Sequence, residues 1–214
     1  RVDPSLTIEV GACESENVDA GRVLWTVRGS ARSVLSAERI ALNLAQRMSG
    51  VATLSRQYVD ALPEGSRTRI ADTRKTTPGL RALERYAVRT GGAHNHRDNL
   101  GSAIMIKDNH IVASGGLVQA IERAKRHAPH SSRIEVEVTN LEQFDVAAKA
   151  GADIIMLDEF SLEDMRTAVQ RVAGRARLEA SGGISDQTLV AVAETGVDFI
   201  SIGALTKHVR AIDL

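Results

Sequence analysis

The sequence predicts an α/β protein: a barrel of about six parallel strands, preceded by part of a smaller α+β domain. Three observations carry that expectation. From Ser66 onward, six short runs alternate with amphipathic stretches, as repeated βα units do. The runs are largely apolar, as strands covered on both faces are. Polar residues gather where the runs end, as they do at the mouth of an α/β barrel. An open, doubly wound sheet shares the first two features, and the third favours the barrel.

The elements follow in order. Residues 6–10 and 23–27 read as strands, with Gly11, Gly21 and Gly29 marking turns. Ser36 reads as the N-cap of a helix running to about Met48. Ile40, Leu44 and Met48 share one face of it, and Arg39, Asn43 and Arg47 another. Residues 1–35 are assigned to the smaller domain, 36–65 to connecting helices and 66–214 to the barrel. The six runs are 69–72, 103–107, 134–138, 153–157, 177–180 and 198–202. Helical patterns lie near 79–90, 116–127, 141–150, 162–173 and 185–196. Thr77 reads as an N-cap, with Pro78 at the first helical position. The chain opens on Arg1 in strand-like sequence and stops at Leu214 without an end signal. Further sequence beyond both ends is therefore expected.

Composition narrows the function. With 214 residues and 43% hydrophobic content, the chain can bury one domain, or a domain plus a fragment. A net charge of zero implies no general attraction to nucleic acid or to an anionic membrane. Locally the balance differs: residues 67–107 hold nine Arg or Lys against three Asp or Glu, a net of +6. Tyr86 is the single aromatic there, so a stacking platform for bases is missing. A small polyanionic ligand fits better. Cys13 is the only cysteine, which excludes an intrachain disulfide and suggests a reducing, cytoplasmic setting. No run approaches transmembrane length, and no signal-peptide pattern is visible.

The candidate chemistry lies at the run ends. Arg74 and Lys75 beside a helix start form an anion cradle. In Gly91-Gly92-Ala93-His94-Asn95-His96-Arg97, His96 and Arg97 offer an imidazole and a bidentate donor for a carboxylate or phosphate. A C-capping glycine turn with solvated histidines is the plainer reading. Lys107 ends a strand as a Schiff-base nucleophile, a charge-stabilising donor or a snorkelling lysine. Glu135 and Glu137 alternate along one strand and face one side; Asp158 ends the next. Glu137 and Asp158 could share Mg²⁺ or sugar hydroxyls, or pair with Lys107 or Arg74. Ser181-Gly182-Gly183 and Gly203 follow the last two strands, where small-residue loops commonly grip phosphate.

Taken together, these segments resemble quinolinate phosphoribosyltransferases, a decarboxylating family of NAD biosynthesis. The matching residues are Glu38-Arg39-Ile40-Ala41-Leu42-Asn43, Asp72-Thr73-Arg74-Lys75-Thr76-Thr77-Pro78-Gly79, Asn95-His96-Arg97, Ile106-Lys107-Asp108-Asn109-His110, Glu135-Val136-Glu137, Leu157-Asp158 and Ser181-Gly182-Gly183-Ile184. They run in order through about residues 20–214. The resemblance implies an incomplete α/β barrel with part of an N-terminal α+β sandwich domain. It implies a cytoplasmic homodimer in which Arg39 reaches the partner's site, with assembly into hexamers left open. Quinolinate would meet Arg74, Lys75, His96, Arg97 and Lys107. Glu137 and Asp158 would serve Mg²⁺-bound phosphoribosyl pyrophosphate, directly or through water, with Lys107, Glu137 and Asp158 as the catalytic set. Ser181, Gly182, Gly183 and Gly203 would hold the 5-phosphate. Two positions depart from the family pattern: Ala93 where a third glycine is common, and Glu159 where asparagine often stands.

Overall fold

The structure is a computed structural model that describes residues 2–214. An antiparallel hairpin of β1 (Thr7–Val10) and β2 (Trp25–Arg28) comes first, in register from Thr7 opposite Arg28 to Val10 opposite Trp25. A long helix, α1 (Ala31–Asp60), leads to the barrel. There follow β3 (Arg69–Ala71), α2 (Arg81–Thr90), β4 (Ile104–Ile106), α3 (Asp108–Ser114), α4 (Leu117–His127), β5 (Ile134–Val138) and α5 (Leu141–Lys149). The chain ends with β6 (Ile154–Asp158), α6 (Leu162–Val172), β7 (Arg177–Ser181), α7 (Asp186–Ala193), β8 (Phe199–Ser201) and α8 (Ala204–Lys207).

The six barrel strands are parallel, in the order β3-β8-β7-β6-β5-β4. β3 and β4 form the two edges and do not pair with each other, so the barrel is incomplete. The segment after α2 stands in the gap. Ala71 bridges His94, whose amide donates to the Ile70 carbonyl at 2.8 Å, while the Asp72 amide donates to the His94 carbonyl at 2.9 Å. Arg97 then reaches the Ala103 carbonyl, just before β4, at 3.2 Å.

Strand alternation divides the barrel into two layers. Ile134, Val136 and Val138 of β5, Ile155 and Leu157 of β6, and Leu178 and Ala180 of β7 are buried in the apolar core. Each large apolar side chain buried this way contributes roughly 1.5–3 kcal/mol. The other face carries Glu135, Glu137, Asp158, Glu179 and Ser181, and cross-strand register places Glu137, Met156, Glu179 and Phe199 level with one another. A polar interior explains why β5 reads as alternating rather than as a solid apolar run. Side-chain caps set the helix starts after β5 and β6: Asn140 accepts from the Gln143 amide at 2.9 Å, and Ser161 from the Asp164 amide at 3.0 Å.

Three sequence expectations need correction. The helix expected from Ser36 to Met48 is one 30-residue helix with Ser30 at its N-cap, and Ser36 bonds back to the Arg32 carbonyl within it. It runs on through Gly50, where a Cβ would strike the Arg210 carbonyl of the C-terminal segment, so the close approach accounts for a glycine inside the helix. Close packing offsets the ~1 kcal/mol that glycine costs inside a helix. Second, α2 begins at Arg81, not Pro78. Pro78 and Gly79 (φ 79°) form the corner of a turn closed by the Leu80 amide on the Thr77 carbonyl at 3.0 Å. Thr77 is therefore not a helix cap; the N-cap position of α2 is Leu80. Third, α3 was not expected at all. Among the described residues no helix is long and apolar enough to cross a membrane.

Candidate active site

Asp72 organises the mouth. It follows β3, is fully buried, and accepts from the His96 amide at 2.7 Å and the Asn95 side chain at 2.5 Å. The Arg85 guanidinium stands 3.8 Å away. Burial nonetheless holds its carboxyl above the ordinary value. Asp72 thus fixes the segment that fills the barrel gap, and with it the positions of His96 and Arg97. Burial, then the neighbouring Arg74 guanidinium, pushes the Arg97 pKa down. That repulsion reflects two cations near one another, a setting that an anion would relieve.

Beneath them lies a buried triad. His96 Nε2 is 3.2 Å from Glu135 and 3.4 Å from Glu179, and both carboxylates are buried. Nδ1 of the same ring faces the Arg97 amide at 2.7 Å. Both ring nitrogens are therefore engaged within the protein. The Arg97 amide can donate to Nδ1 only while the ring is neutral, and burial also opposes charge, but the bonds to Glu135 and Glu179 outweigh burial and raise His96 to about 10. The same burial, with Glu179 adding repulsion, raises Glu135. Ligand atoms of the three residues lie within 4.8 Å of one another, an arrangement that would also suit a small divalent ion.

The raised His96 pKa makes a prediction about stability. A base whose folded pKa exceeds its unfolded 6.5 contributes fully below 6.5, and that contribution is lost as the pH rises through about 10. Between pH 7 and 10.5 the wild type should lose more thermal stability than His96→Asn, measured as the difference in melting midpoints. Parallel losses in both proteins would remove the triad as the cause.

At the next strand ends, Lys107 after β4 forms an ion pair with Glu137 of β5. This is the internal pairing that competes with a metal role for Glu137. The Lys107 amide donates to His110 Nδ1 at 3.0 Å, which fixes the turn into α3. The Asp158 side chain, at the end of β6, forms no hydrogen bond or ion pair among the described residues, and the residue stands in register with Ser181. Its Oδ1 lies 3.3 Å from where a Gly182 Cβ would be, so the carboxylate abuts the Ser181–Gly183 loop. Gly203 meets the Lys75 side chain, 3.1 Å from the position of its would-be Cβ. Lys75 therefore bridges the cationic wall and the last small-residue loop.

The structure thus brings Arg74, Lys75, His96, Arg97, Lys107, Glu137, Asp158, Ser181, Gly182, Gly183 and Gly203 to one end of the barrel. Arg39 is not among them: it lies exposed on α1 and, among the described residues, bonds to none of the others. The sequence did not single out Asp72 as the organiser, nor Glu179 and Asn95 as supports. An Asp that ends an apolar run just before an Arg-Lys pair and the period-two pairing of Glu179 with Ser181 are the available signals.

Glu159 explains one departure from the family pattern. Its φ is 55°, a left-handed conformation that asparagine adopts more readily than glutamate. Glu159→Asn should raise stability by about 0.5–1 kcal/mol. A melting midpoint that is unchanged or lower would contradict this.

Fold and mouth together define an incomplete α/β barrel with a site for anionic substrates. The pattern of "Quinolinate phosphoribosyl transferase, C-terminal domain" matches residues 51–214, and that of the corresponding N-terminal domain matches residues 2–49. A Synechocystis protein named a probable nicotinate-nucleotide pyrophosphorylase (carboxylating) is 47% identical over 216 residues, covering all of this chain and 73% of its own length. The nicotinate-nucleotide pyrophosphorylase (carboxylating) of Mycobacterium leprae is 46% identical, covering 94% of this chain and 71% of its own. The crystal structure of NadC from Streptococcus pyogenes superposes with a TM-score of 0.94 at 43% identity, over 99% of this chain and 75% of that one. The chain belongs to the quinolinate phosphoribosyl transferase family.

Proposed function

We propose that this chain transfers the phosphoribosyl group of phosphoribosyl pyrophosphate to quinolinate with decarboxylation, yielding nicotinate mononucleotide, pyrophosphate and CO₂ in NAD biosynthesis. The observation that carries the reading is the pairing, at one barrel mouth, of a cationic wall with two carboxylates on neighbouring strand ends. Arg74, Lys75, Arg97 and Lys107 supply the wall, and Glu137 and Asp158 the carboxylates.

The wall binds the two carboxylates of quinolinate and offsets repulsion between two anionic substrates. His96 has both nitrogens engaged, so it contributes chiefly as a fixed ring beneath Arg97. The Ser181–Gly183 and Gly203 loops hold the 5-phosphate through backbone amides. Glu137 and Asp158 face the ribose hydroxyls. Their oxygens, one set free and one shared with Lys107, also suit Mg²⁺, which keeps water and phosphate ligands of its own. Bound Mg²⁺ would offset charge building on the departing pyrophosphate. The ring nitrogen attacks the anomeric carbon as the bond to pyrophosphate breaks, its electron pair leaving with pyrophosphate. The cationic ring then accepts the electron pair released when the 2-carboxylate leaves as CO₂, and that carbon takes a proton from solvent. No protein nucleophile is needed, which fits Lys107 as a paired cation rather than a Schiff-base amine.

We take 66–214 as the catalytic unit and the assembly as a homodimer in the cytoplasm, with Arg39 serving the partner's site. Exposed Val10, Val27, Leu35 and Ile40 on the hairpin and the start of α1 support a covered face there. The test combines the protein with quinolinate, phosphoribosyl pyrophosphate and Mg²⁺. CO₂ should be released with quinolinate, and no nucleotide should form when nicotinate replaces it. Absence of CO₂ release from folded protein would overturn the reading.

A further inference from the structure

One guanidinium ties four separate elements together behind the cationic wall. Arg47, on α1, donates from Nε to Glu84 at 3.0 Å and from Nη2 to Glu84 at 2.7 Å. The same Nη2 reaches the Thr77 hydroxyl at 2.7 Å and the Thr206 carbonyl at 3.0 Å. Glu84, on α2, is almost wholly buried, and its second oxygen accepts from the Thr77 amide at 2.9 Å. Thr206, on α8, is buried too, and its hydroxyl donates to the Lys75 carbonyl at 2.9 Å. The backbone that carries Arg74 and Lys75 is thus gripped at Lys75 and at Thr77, and both grips pass through Arg47. A further hold comes from Arg81, which bonds the Thr76 hydroxyl at 2.9 Å and the Arg74 carbonyl at 3.3 Å.

This grip has a purpose that packing alone does not require. Arg74 and Lys75 are exposed and follow a strand of only three residues. Their own loop supplies little restraint: the Lys75 amide on the Thr73 hydroxyl at 3.1 Å and the Thr76 amide on the Arg74 carbonyl at 2.9 Å. Two long cations on an unrestrained loop would lose rotamer and backbone freedom on binding an anion, weakening affinity. A planar fork with several fixed donors is suited to holding three acceptors at once, whereas an ammonium is a single point.

We infer that Arg47 is a positioning residue for substrate binding: through Glu84, Thr77 and Thr206 it pre-sets the backbone that presents Arg74 and Lys75. The inference rests on those two cations meeting quinolinate. Arg47 itself hydrogen-bonds to Glu84, Thr77 and Thr206 and not to the proposed ligand-binding side chains.

Arg47→Lys tests it without leaving Glu84 unpaired, since the cation remains but cannot span all three acceptors. The quinolinate KM should rise about 10- to 100-fold, as small misplacements of binding groups cost this much. The phosphoribosyl pyrophosphate KM should rise several-fold less. Thr206→Val removes only the bond to the Lys75 carbonyl and should shift the quinolinate KM the same way, by about fivefold. A general loosening of the fold would raise both KM values alike, and that result would overturn the inference. So would an unchanged quinolinate KM in folded Arg47→Lys and Thr206→Val. Arg74→Ala, run in parallel, separates the two readings. If it raises the quinolinate KM while the Arg47 and Thr206 variants do not, only the positioning role fails. If Arg74→Ala leaves that KM unchanged, the substrate assignment fails, and the inference with it.

Discussion

Lys107→Ala is expected to cut nicotinate mononucleotide formation by about 10²- to 10³-fold, the loss typical of a removed charge-stabilising donor. Lys107 follows β4 at the mouth and pairs with Glu137, so the change removes a cation from the wall and frees the carboxylate proposed to face the ribose. The fold should survive. Lys107 is 41% exposed, and Glu137, at 18%, keeps enough contact with water to be left single. CO₂ release and far-ultraviolet circular dichroism on the same preparation check both halves. Near-normal turnover in a folded variant would take Lys107 out of the catalytic set.

Asp72→Ala should be costly in another way. The carboxylate is fully buried and accepts from the His96 amide and the Asn95 side chain, with Arg85 nearby. Arg85 would keep Asp98 at 3.2 Å and the His96 carbonyl at 2.7 Å, but removing Asp72 leaves the His96 amide and the Asn95 side chain without their buried acceptor, a loss of about 3–5 kcal/mol in all. For a chain of this size that is roughly a 6–20 °C fall in melting midpoint. Activity should fall with it, even at temperatures where the variant is folded, because Asp72 anchors His96 and Arg97. Thermal denaturation paired with quinolinate KM at 15 °C tests this. A midpoint within a degree or two of the wild type would show that Asp72 does not hold the segment.

The two variants mark what was legible in the sequence. Lys107, Glu137, Asp158 and the Ser181–Gly183 loop are legible because they lie within, end or follow apolar runs, and strand alternation is a local signal. Arg74 and Lys75 were found for a reason that proved wrong in detail. Pro78 reads as a helix start, yet Gly79 can take a positive φ, and a turn with that pair absorbs the residues before Arg81. The apolar face read from Ile40, Leu44 and Met48 stops at Met48, whereas α1 runs on to Asp60. Only the C-terminal segment, packing against Gly50 from far along the chain, shows why a glycine stands inside that helix. The His96–Glu135–Glu179 triad and the Arg47 grip were out of reach for the same reason. Their members lie on different elements, and nothing in their spacing says that they meet.

The segment between α2 and β4 has a consequence for how the family can vary in length. By its place in the chain it is a connection, and connections on protein surfaces ordinarily accept extra residues. Here residues 94–97 serve as a wall: they bond to β3 on one side, reach the start of β4 on the other, and are pinned to Asp72 from within. An added residue would slide Arg97 off the Ala103 carbonyl and turn His96 away from its carboxylates. Insertions are expected instead at turns such as 128–132, which join α4 to β5 away from the gap. The piece of the barrel that completes its enclosure is thus also the piece whose length is least free to change.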